Sequence, residues 1–371
     1  MNKIFQLLLV LSLSAVLPVS AYERGKTVDI NGSKVIIKNA NLSATILPER
    51  AGRITSLYLN GKQLELLTPG KVTAVEETPL FSYSTDNMMG IYELIWGQKI
   101  NGTVSMKCTA KADNALLEGK FYGNIELDLQ REITLVPDTF EMLIKCVITN
   151  TAKTPQKIAP WIHLVGTPVS TAIIPQSAGP VRRTGFGSVG KSPVPSLATF
   201  GKHNNYLPPG ANWAAVKFAG KSVVWVIRLP EGTLDKEGVF YSWGDGKVNG
   251  IQTTEVVWPA KMIAPMEKLS VSYSIAVFDG LDSVNTVFGS TGAEFALKDG
   301  KLVLKFCASA GENSRKAVLT CKDKAGTETQ YAFDIPALKA GKCAEVTLPA
   351  KELPYTAKIK IDGKKEYTVF F

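Results

Sequence analysis

Histidine is nearly absent: the 371 residues include only two, His163 and His203. A histidine-rich metal centre is excluded, and each imidazole becomes a candidate for chemistry. Cys108, Cys146, Cys307, Cys321 and Cys343 contain no Cys-x-x-Cys spacing. That argues against a zinc ribbon or a thioredoxin-type redox site. Phosphate-loop, Ser/His/Asp and metal-ligand spacings are also missing, so neither metal nor cofactor is expected. No stretch of a dozen residues repeats apolar positions at helical spacing between caps, which excludes a helical fold. Past the first residues, no apolar run approaches the roughly 20 residues a membrane helix needs, so no membrane span is expected. The charge is unbalanced, 42 Lys+Arg against 33 Asp+Glu for a net +9. Lys is nevertheless spread along the whole chain without a basic-aromatic module, and nucleic acid is excluded as a partner. With 45% hydrophobic and 20% charged residues, wholesale disorder is excluded too.

The N-terminus has three parts: Met1-Asn2-Lys3, an apolar run from Ile4 to Leu17, and the small residues of Val19-Ser20-Ala21. This is the pattern of a secretory signal peptide, here 1–21 with cleavage after Ala21. The protein is therefore expected to be secreted or periplasmic, where disulfides are permitted. An odd number of cysteines leaves at least one thiol unpaired within the chain.

Period two dominates what remains. Leu127 and Leu129 alternate with Asp128 and Gln130, and Val271, Tyr273, Ile275 and Val277 alternate with small or polar residues. Leu302, Leu304 and Phe306 do the same, as do Ala357, Ile359 and Ile361 among lysines. Such alternation predicts half-buried antiparallel strands, and the dipeptides Asn31-Gly32, Asn60-Gly61, Asp299-Gly300 and Asp362-Gly363 predict hairpin turns. The chain reads as all-β. Gly and Asp residues between Phe278 and Ala293 mark a boundary. Five strand patterns follow it, near 301–308, 315–322, 329–335, 343–348 and 356–370, which suits a small immunoglobulin-like β-sandwich over 286–371. Between Gly166 and Gly210, seven prolines interrupt the rhythm. A long excursion of this kind is usually functional or disordered.

Several segments of 40–280 resemble the galactose mutarotase-like (aldose 1-epimerase-like) carbohydrate-active superfamily. Ala44 to Ile54, followed by Leu57-Tyr58-Leu59-Asn60-Gly61-Lys62, resembles its opening hairpin. Leu129 to Leu135 with Phe140 to Asn150 resembles its central strand pair, and Thr149-Asn150 precedes Pro160-Trp161-Ile162-His163 as a Thr-Asn run precedes the family's catalytic His. Glu255, Pro265 and the strand 269–278 resemble its closing segment. The resemblance implies a β-supersandwich over 22–285 that binds sugars on a concave face. His163-Leu164-Val165-Gly166 departs from the family's His motif, and only one His has a matching context, so the chain looks closest to a divergent secreted branch.

Epimerisation at an anomeric carbon needs a base for the hydroxyl proton and an acid for the ring oxygen. The resemblance implies Glu255 as base and His163 as acid, with Arg53 holding hydroxyls or a carboxylate through its fork. Trp96, Trp213, Trp243 and Trp258 are candidates to stack on sugar faces. Trp243 stands out because Tyr241 and Asp245 lie beside it. Arg182, His203 and Tyr206 in the proline-rich excursion suggest an alternative. Those residue types suit a polysaccharide lyase, which neutralises a uronate and removes a proton. A non-catalytic glycan-binding module is a further alternative. Each reading makes a carbohydrate the partner, a mono- or oligosaccharide or, in view of the net positive charge, an acidic glycan.

Overall fold

Burial follows the alternation. Across 127–135, Leu127, Leu129, Arg131, Ile133 and Leu135 are buried, while the residues between them are half-buried or exposed. The computed structural model describes residues 29–31, 34–50, 52–67, 90–95, 106–121, 126–166, 170–175, 181–184, 206–207, 210–218, 220–234, 238–244, 252–350 and 352–371. The expected signal segment 1–21 lies outside them.

The described chain is built of strands. The first are β1 (Asp29–Asn31), β2 (Lys34–Lys38), β3 (Leu42–Leu47), β4 (Arg53–Leu59), β5 (Leu64–Glu65) and β6 (Ile91–Ile95). Next come β7 (Lys107–Ala110), β8 (Asn114–Phe121), β9 (Leu127–Leu135), β10 (Glu141–Asn150), β11 (Gln156–Ile158) and β12 (Pro160–Gly166). Then follow β13 (Ser170–Ile174), β14 (Val181–Thr184), β15 (Tyr206–Leu207), β16 (Trp213–Phe218), β17 (Val223–Arg228) and β18 (Val239–Gly244). The large sheets finish with β19 (Gln252–Val257), β20 (Lys261–Ile263) and β21 (Lys268–Asp279). The C-terminal part has β22 (Thr286–Phe288), β23 (Thr291–Lys298), β24 (Lys301–Ala308), β25 (Arg315–Lys322) and β26 (Glu328–Ile335). It ends with β27 (Cys343–Leu348), β28 (Thr356–Ile361) and β29 (Lys365–Val369). The helical turns among the described residues are two short 3-10 pieces, Pro48–Arg50 and Asn60–Lys62.

Two large antiparallel sheets enclose one hydrophobic core. The first has the order β1-β2-β3-β4-β6-β12-β19-β18-β15, with β5 on β4, and the second β14-β13-β16-β17-β21-β10-β9-β8-β7. Ile37, Leu57, Ile91, Ile162 and Val256 of the first sheet share a buried cluster with Ile133, Ile144, Ile275 and Val277 of the second. The expected all-β supersandwich is thus the observed architecture. The proline-rich excursion contributes the edge strand β14 and its neighbour β13 to one sheet and the edge strand β15 to the other. Its residues 185–205, including His203, lie outside the described residues.

The C-terminal strands form two four-stranded sheets, β22-β23-β24-β27 and β26-β25-β28-β29, around their own core of Phe295, Leu304, Phe306, Leu319 and Ile359. The strand patterns read from the sequence match these elements, and the stretch 356–370 divides into the hairpin β28–β29. Its Asp362-Gly363 turn and the Asp299-Gly300 turn have positive φ at both residues, the backbone that favours Asp-Gly. Asn60-Gly61 behaves differently. It starts a 3-10 turn closed by Gln63 in the left-handed region, so the hairpin into β5 is wider than a two-residue turn. A third apolar cluster, with Trp213, Val226, Phe278, Val287, Cys307 and Phe370, joins the outer face of the second large sheet to the small sandwich. Cys307 and Cys343, cross-strand neighbours on β24 and β27, are disulfide-bonded at that joint. Cys108, Cys146 and Cys321 are free thiols.

Candidate functional site

Strand register collects the site. In β12, Trp161 and His163 project to one face and Ile162 and Leu164 to the other, because successive strand residues alternate. Tyr92 of β6 pairs with His163. The pairs Trp161–Val257 and Val165–Thr253 set His163 level with Glu255 of β19. Glu255 in turn pairs with Tyr241 of β18. On the other side, the Ile54–Ile91 pair sets Arg53 of β4 beside Tyr92. Directly paired residues share a face. A row of Arg53, Tyr92, His163, Glu255 and Tyr241 therefore crosses five neighbouring strands on the face turned away from the second sheet.

The contacts along the row are close. The His163 Nε2 atom is 3.9 Å from Glu255 Oε1. Arg53 Cζ lies 4.0 Å from the centroid of the Tyr92 ring, a cation–π contact. The Tyr92 and His163 rings are tilted with centroids 4.9 Å apart, and Trp161 meets His163 edge-on at 5.8 Å. Trp161 Nε1–H donates to Glu255 Oε2, and Thr253 also hydrogen-bonds Glu255. Arg53, Tyr92, His163 and Glu255 are all at most 3% exposed. Neither ring nitrogen of His163 has a hydrogen-bond partner among the described residues.

Burial sets the protonation states. It pushes the Glu255 carboxyl from 4.5 up to about 8, against the opposing hydrogen bonds from Thr253 and Trp161. It pushes His163 from 6.5 down to about 3, and the nearby Arg53 charge adds to that. Tyr92 rises from 10.0 to about 12 by burial, with Arg53 pulling the other way and Glu255 adding to the rise. At neutral pH the His163–Glu255 contact is a neutral imidazole beside a largely protonated carboxyl, not an ion pair. One group can donate a proton and the other can accept one.

Of the residues expected from sequence, His163, Glu255 and Arg53 come together in this row. Trp243 lies on β18 with its backbone opposite Thr253. Trp96, Asp245 and His203 lie outside the described residues. Arg182 is on β14, an edge strand of the second sheet, whereas Tyr206 is on β15, the edge of the first. The two thus belong to different sheets. Two tryptophans are packing residues instead of sugar platforms. Trp258 is 6% exposed with its ring 6.3 Å from Tyr273, and Trp213 meets Phe370 edge-on in the joint to the small sandwich.

Tyr92, Trp161 and Thr253 went unread in the sequence. Stepping two residues along the strands from His163 and Glu255 reaches Trp161 and Thr253. A second missed group lies behind the row, between the sheets. Glu93, flanked by Ile91 and Ile95, pairs with Arg131, Nε to Oε2 at 2.8 Å, and accepts from the Tyr273 hydroxyl at 2.7 Å. Its signal was a charge on the apolar phase of a strand: Arg131 stands where 127, 129, 133 and 135 are all aliphatic. Among the described residues no group of three or more His, Cys, Asp and Glu is arranged to hold a metal ion. No helix there is long and apolar enough to cross a membrane.

In fold, the chain is similar to galactose mutarotase-like proteins. A galactose mutarotase-like protein from Lactobacillus casei matches with a TM-score of 0.45 at 9% identity, over 66% of this chain and 99% of that one. A galactose mutarotase related enzyme from Lactobacillus acidophilus matches with a TM-score of 0.46 at 8% identity, over 67% and 99%. A TPR-domain containing protein from Parabacteroides distasonis matches with a TM-score of 0.48 at 13% identity, over 65% of this chain and 46% of that one. No protein-family model matches the sequence, and no curated protein does.

Proposed function

We propose that this is an exported carbohydrate-active protein that performs acid–base chemistry at the anomeric carbon of a sugar, metal-independently, with Glu255 and His163 as the proton-transfer pair. The observation that carries the reading is the buried imidazole of His163, without a hydrogen-bond partner among the described residues and 3.9 Å from Glu255. A hydroxyl oxygen about 2.8 Å from each group would bridge them at ordinary hydrogen-bond length. The two oxygens on an anomeric carbon are bonded to one atom, so a donor and an acceptor this close can each address one of them. The protonation states reverse the roles expected from the sequence. Glu255, its carboxyl pushed up to about 8, donates to the ring oxygen, and neutral His163 accepts the anomeric hydroxyl proton. The ring opens, the C1–C2 bond rotates, and both transfers run backward to close the other anomer. Arg53, held over Tyr92, binds a neighbouring hydroxyl.

Polarimetry of freshly dissolved α-D-galactose and α-D-glucose tests this. The protein should accelerate mutarotation, and Glu255→Gln and His163→Phe should each lower the rate by about 10²–10⁴-fold, the usual contribution of a positioned acid or base. Undiminished turnover in either variant would sink the mechanism. Saccharide binding without turnover, surviving both substitutions, would leave the glycan-binding module. Release of unsaturated, ultraviolet-absorbing products from a uronate polymer would favour the lyase.

A further inference from the structure

We infer that Arg131, held by Glu93 and Tyr273, is a positioning residue that clamps the seam between β4 and β6 and thereby holds Arg53 against Tyr92. The inference rests on the sugar-site reading for its purpose but on the sheet geometry for its substance. Among the described residues β4 and β6 are joined at a single paired position, Ile54 opposite Ile91. By contrast β3 and β4 pair along Leu42–Leu59 to Leu47–Arg53, and β12 pairs β6 along Pro160–Ile95 to Leu164–Ile91. Among the described residues, the sparsest pairing in that part of the sheet thus falls beside Arg53 and Tyr92. The chain compensates from behind. Arg131 reaches across from β9 of the other sheet and donates through Nη1 to the Gly52 carbonyl at 2.5 Å. Through Nη2 it donates at 3.4 Å to the Ile91 carbonyl. Gly52 immediately precedes Arg53, and Ile91 immediately precedes Tyr92. One planar guanidinium therefore ties together the two backbones whose next side chains form the cation–π pair. Only a fork with several fixed donors can do this.

The rest of the cluster holds the fork in place. Glu93 pairs with Arg131 Nε, and Tyr273 lies 3.4 Å from Nη2 while donating to Glu93. Arg131 is fully buried. Burial opposes its charge, but the Glu93 carboxylate, with Tyr273 and Cys146, holds it above the ordinary arginine value. Close approach at the same seam is visible at Gly90, where an added Cβ would collide with the Ile54 carbonyl oxygen. A buried ion pair is weak evidence for stability, since apolar residues of similar volume often replace one without loss. That makes a positioning role separable from a structural one.

The test compares Arg53→Met with the triple replacement Arg131→Met, Glu93→Leu, Tyr273→Phe, which removes the charges and the hydroxyl of the cluster together and leaves only the weakly polar Cys146 thiol. The chain has two histidines, so a His203→Gln background assigns the ¹⁵N imidazole signals to His163. The triple variant should unfold in urea near the wild-type midpoint, yet shift the His163 signals as Arg53→Met does. With α-D-glucose in the polarimeter, KM should rise at least tenfold with kcat less affected. Adding Arg53→Met to the triple variant should cause no further loss, because coupled residues are non-additive. Wild-type His163 signals in a folded triple variant, or a full additional loss from Arg53→Met, would overturn the clamp. If the triple variant does not fold, Arg131→Lys serves instead. It keeps the charge but not the fork, and unchanged His163 signals there would also overturn it. If the signals shift but no variant alters saccharide turnover, the clamp stands and the sugar reading falls.

Discussion

The stability of this protein should show a pH plateau set by Glu255 and His163, with each variant erasing one shoulder. For Glu255 the folded value lies above the ordinary one, so its contribution is fully present below pH 4.5, falls away as pH rises, and is gone above about 8. Raising a carboxyl from 4.5 to about 8 corresponds to ~5 kcal/mol, lost at ~1.4 kcal/mol per pH unit. For His163 the folded value lies below the ordinary one. Its contribution is present above pH 6.5 and lost as pH falls toward about 3, with the same slope and total. Between 4.5 and 6.5 the two slopes oppose and cancel. Outside that window one slope acts alone. Urea titrations followed by tryptophan fluorescence at half-unit steps from pH 3.5 to 9 would measure it. The difference between wild type and each variant removes the contribution of other titrating groups. Glu255→Gln keeps the shape and the acceptor for Trp161 but cannot ionise, so the decline from pH 6.5 to 8 should vanish. His163→Phe should abolish the acid shoulder while leaving the alkaline one. If Glu255→Gln declined above pH 6.5 as steeply as wild type, the carboxyl would not be buried and neutral, and the acid role assigned to it would fail with it.

Two further outcomes concern the joint between the sandwiches. Arg228 pairs with Glu141 at 2.9 Å and donates to the Gly289 carbonyl at 2.8 Å, while Ser309 donates to Glu141. Arg228→Met should destabilise by ~2 kcal/mol in urea titrations at pH 7, the scale of hydrogen bonds to charged groups. Burial would raise Glu141, but Arg228 and Ser309 hold it below 4.5, so the difference should be present above pH 4.5 and shrink in acid. Thiol titration of the unreduced, denatured protein should find three groups, Cys108, Cys146 and Cys321. Replacing Cys307 and Cys343 by Ser opens a cross-link spanning 36 residues and should destabilise by ~3–4 kcal/mol in the same assay. Five reactive thiols would contradict the bond.

The strands were legible because burial on one face writes a period of two into the chain. β24, β25 and β27 begin and end where the alternation does. His163 stood out by rarity, and Glu255 and Arg53 by resemblance. Tyr92 and Trp161 did not, since aromatics in strands ordinarily mean packing. Trp213 and Trp258 show why this matters: the same residue type, equally prominent in sequence, is core. Arg131 and Glu93 were written in the sequence as charges out of phase, but the two partners stand 38 positions apart (131 − 93) and meet only across the core.

The sequence by itself determined the all-β character, the turn chemistry of Asp299-Gly300 and Asp362-Gly363, and the scarcity of imidazoles that made His163 a candidate. Those are local properties of backbone and side chain. Only the tertiary structure decided that residues 53, 92, 163 and 255 stand in one row, because register between strands far apart in the chain is set by how whole sheets pair. Only it decided that Glu255 is held neutral and His163 unprotonated, because both follow from burial. And only it showed a single arginine of the opposite sheet tied to the carbonyls preceding Arg53 and Tyr92.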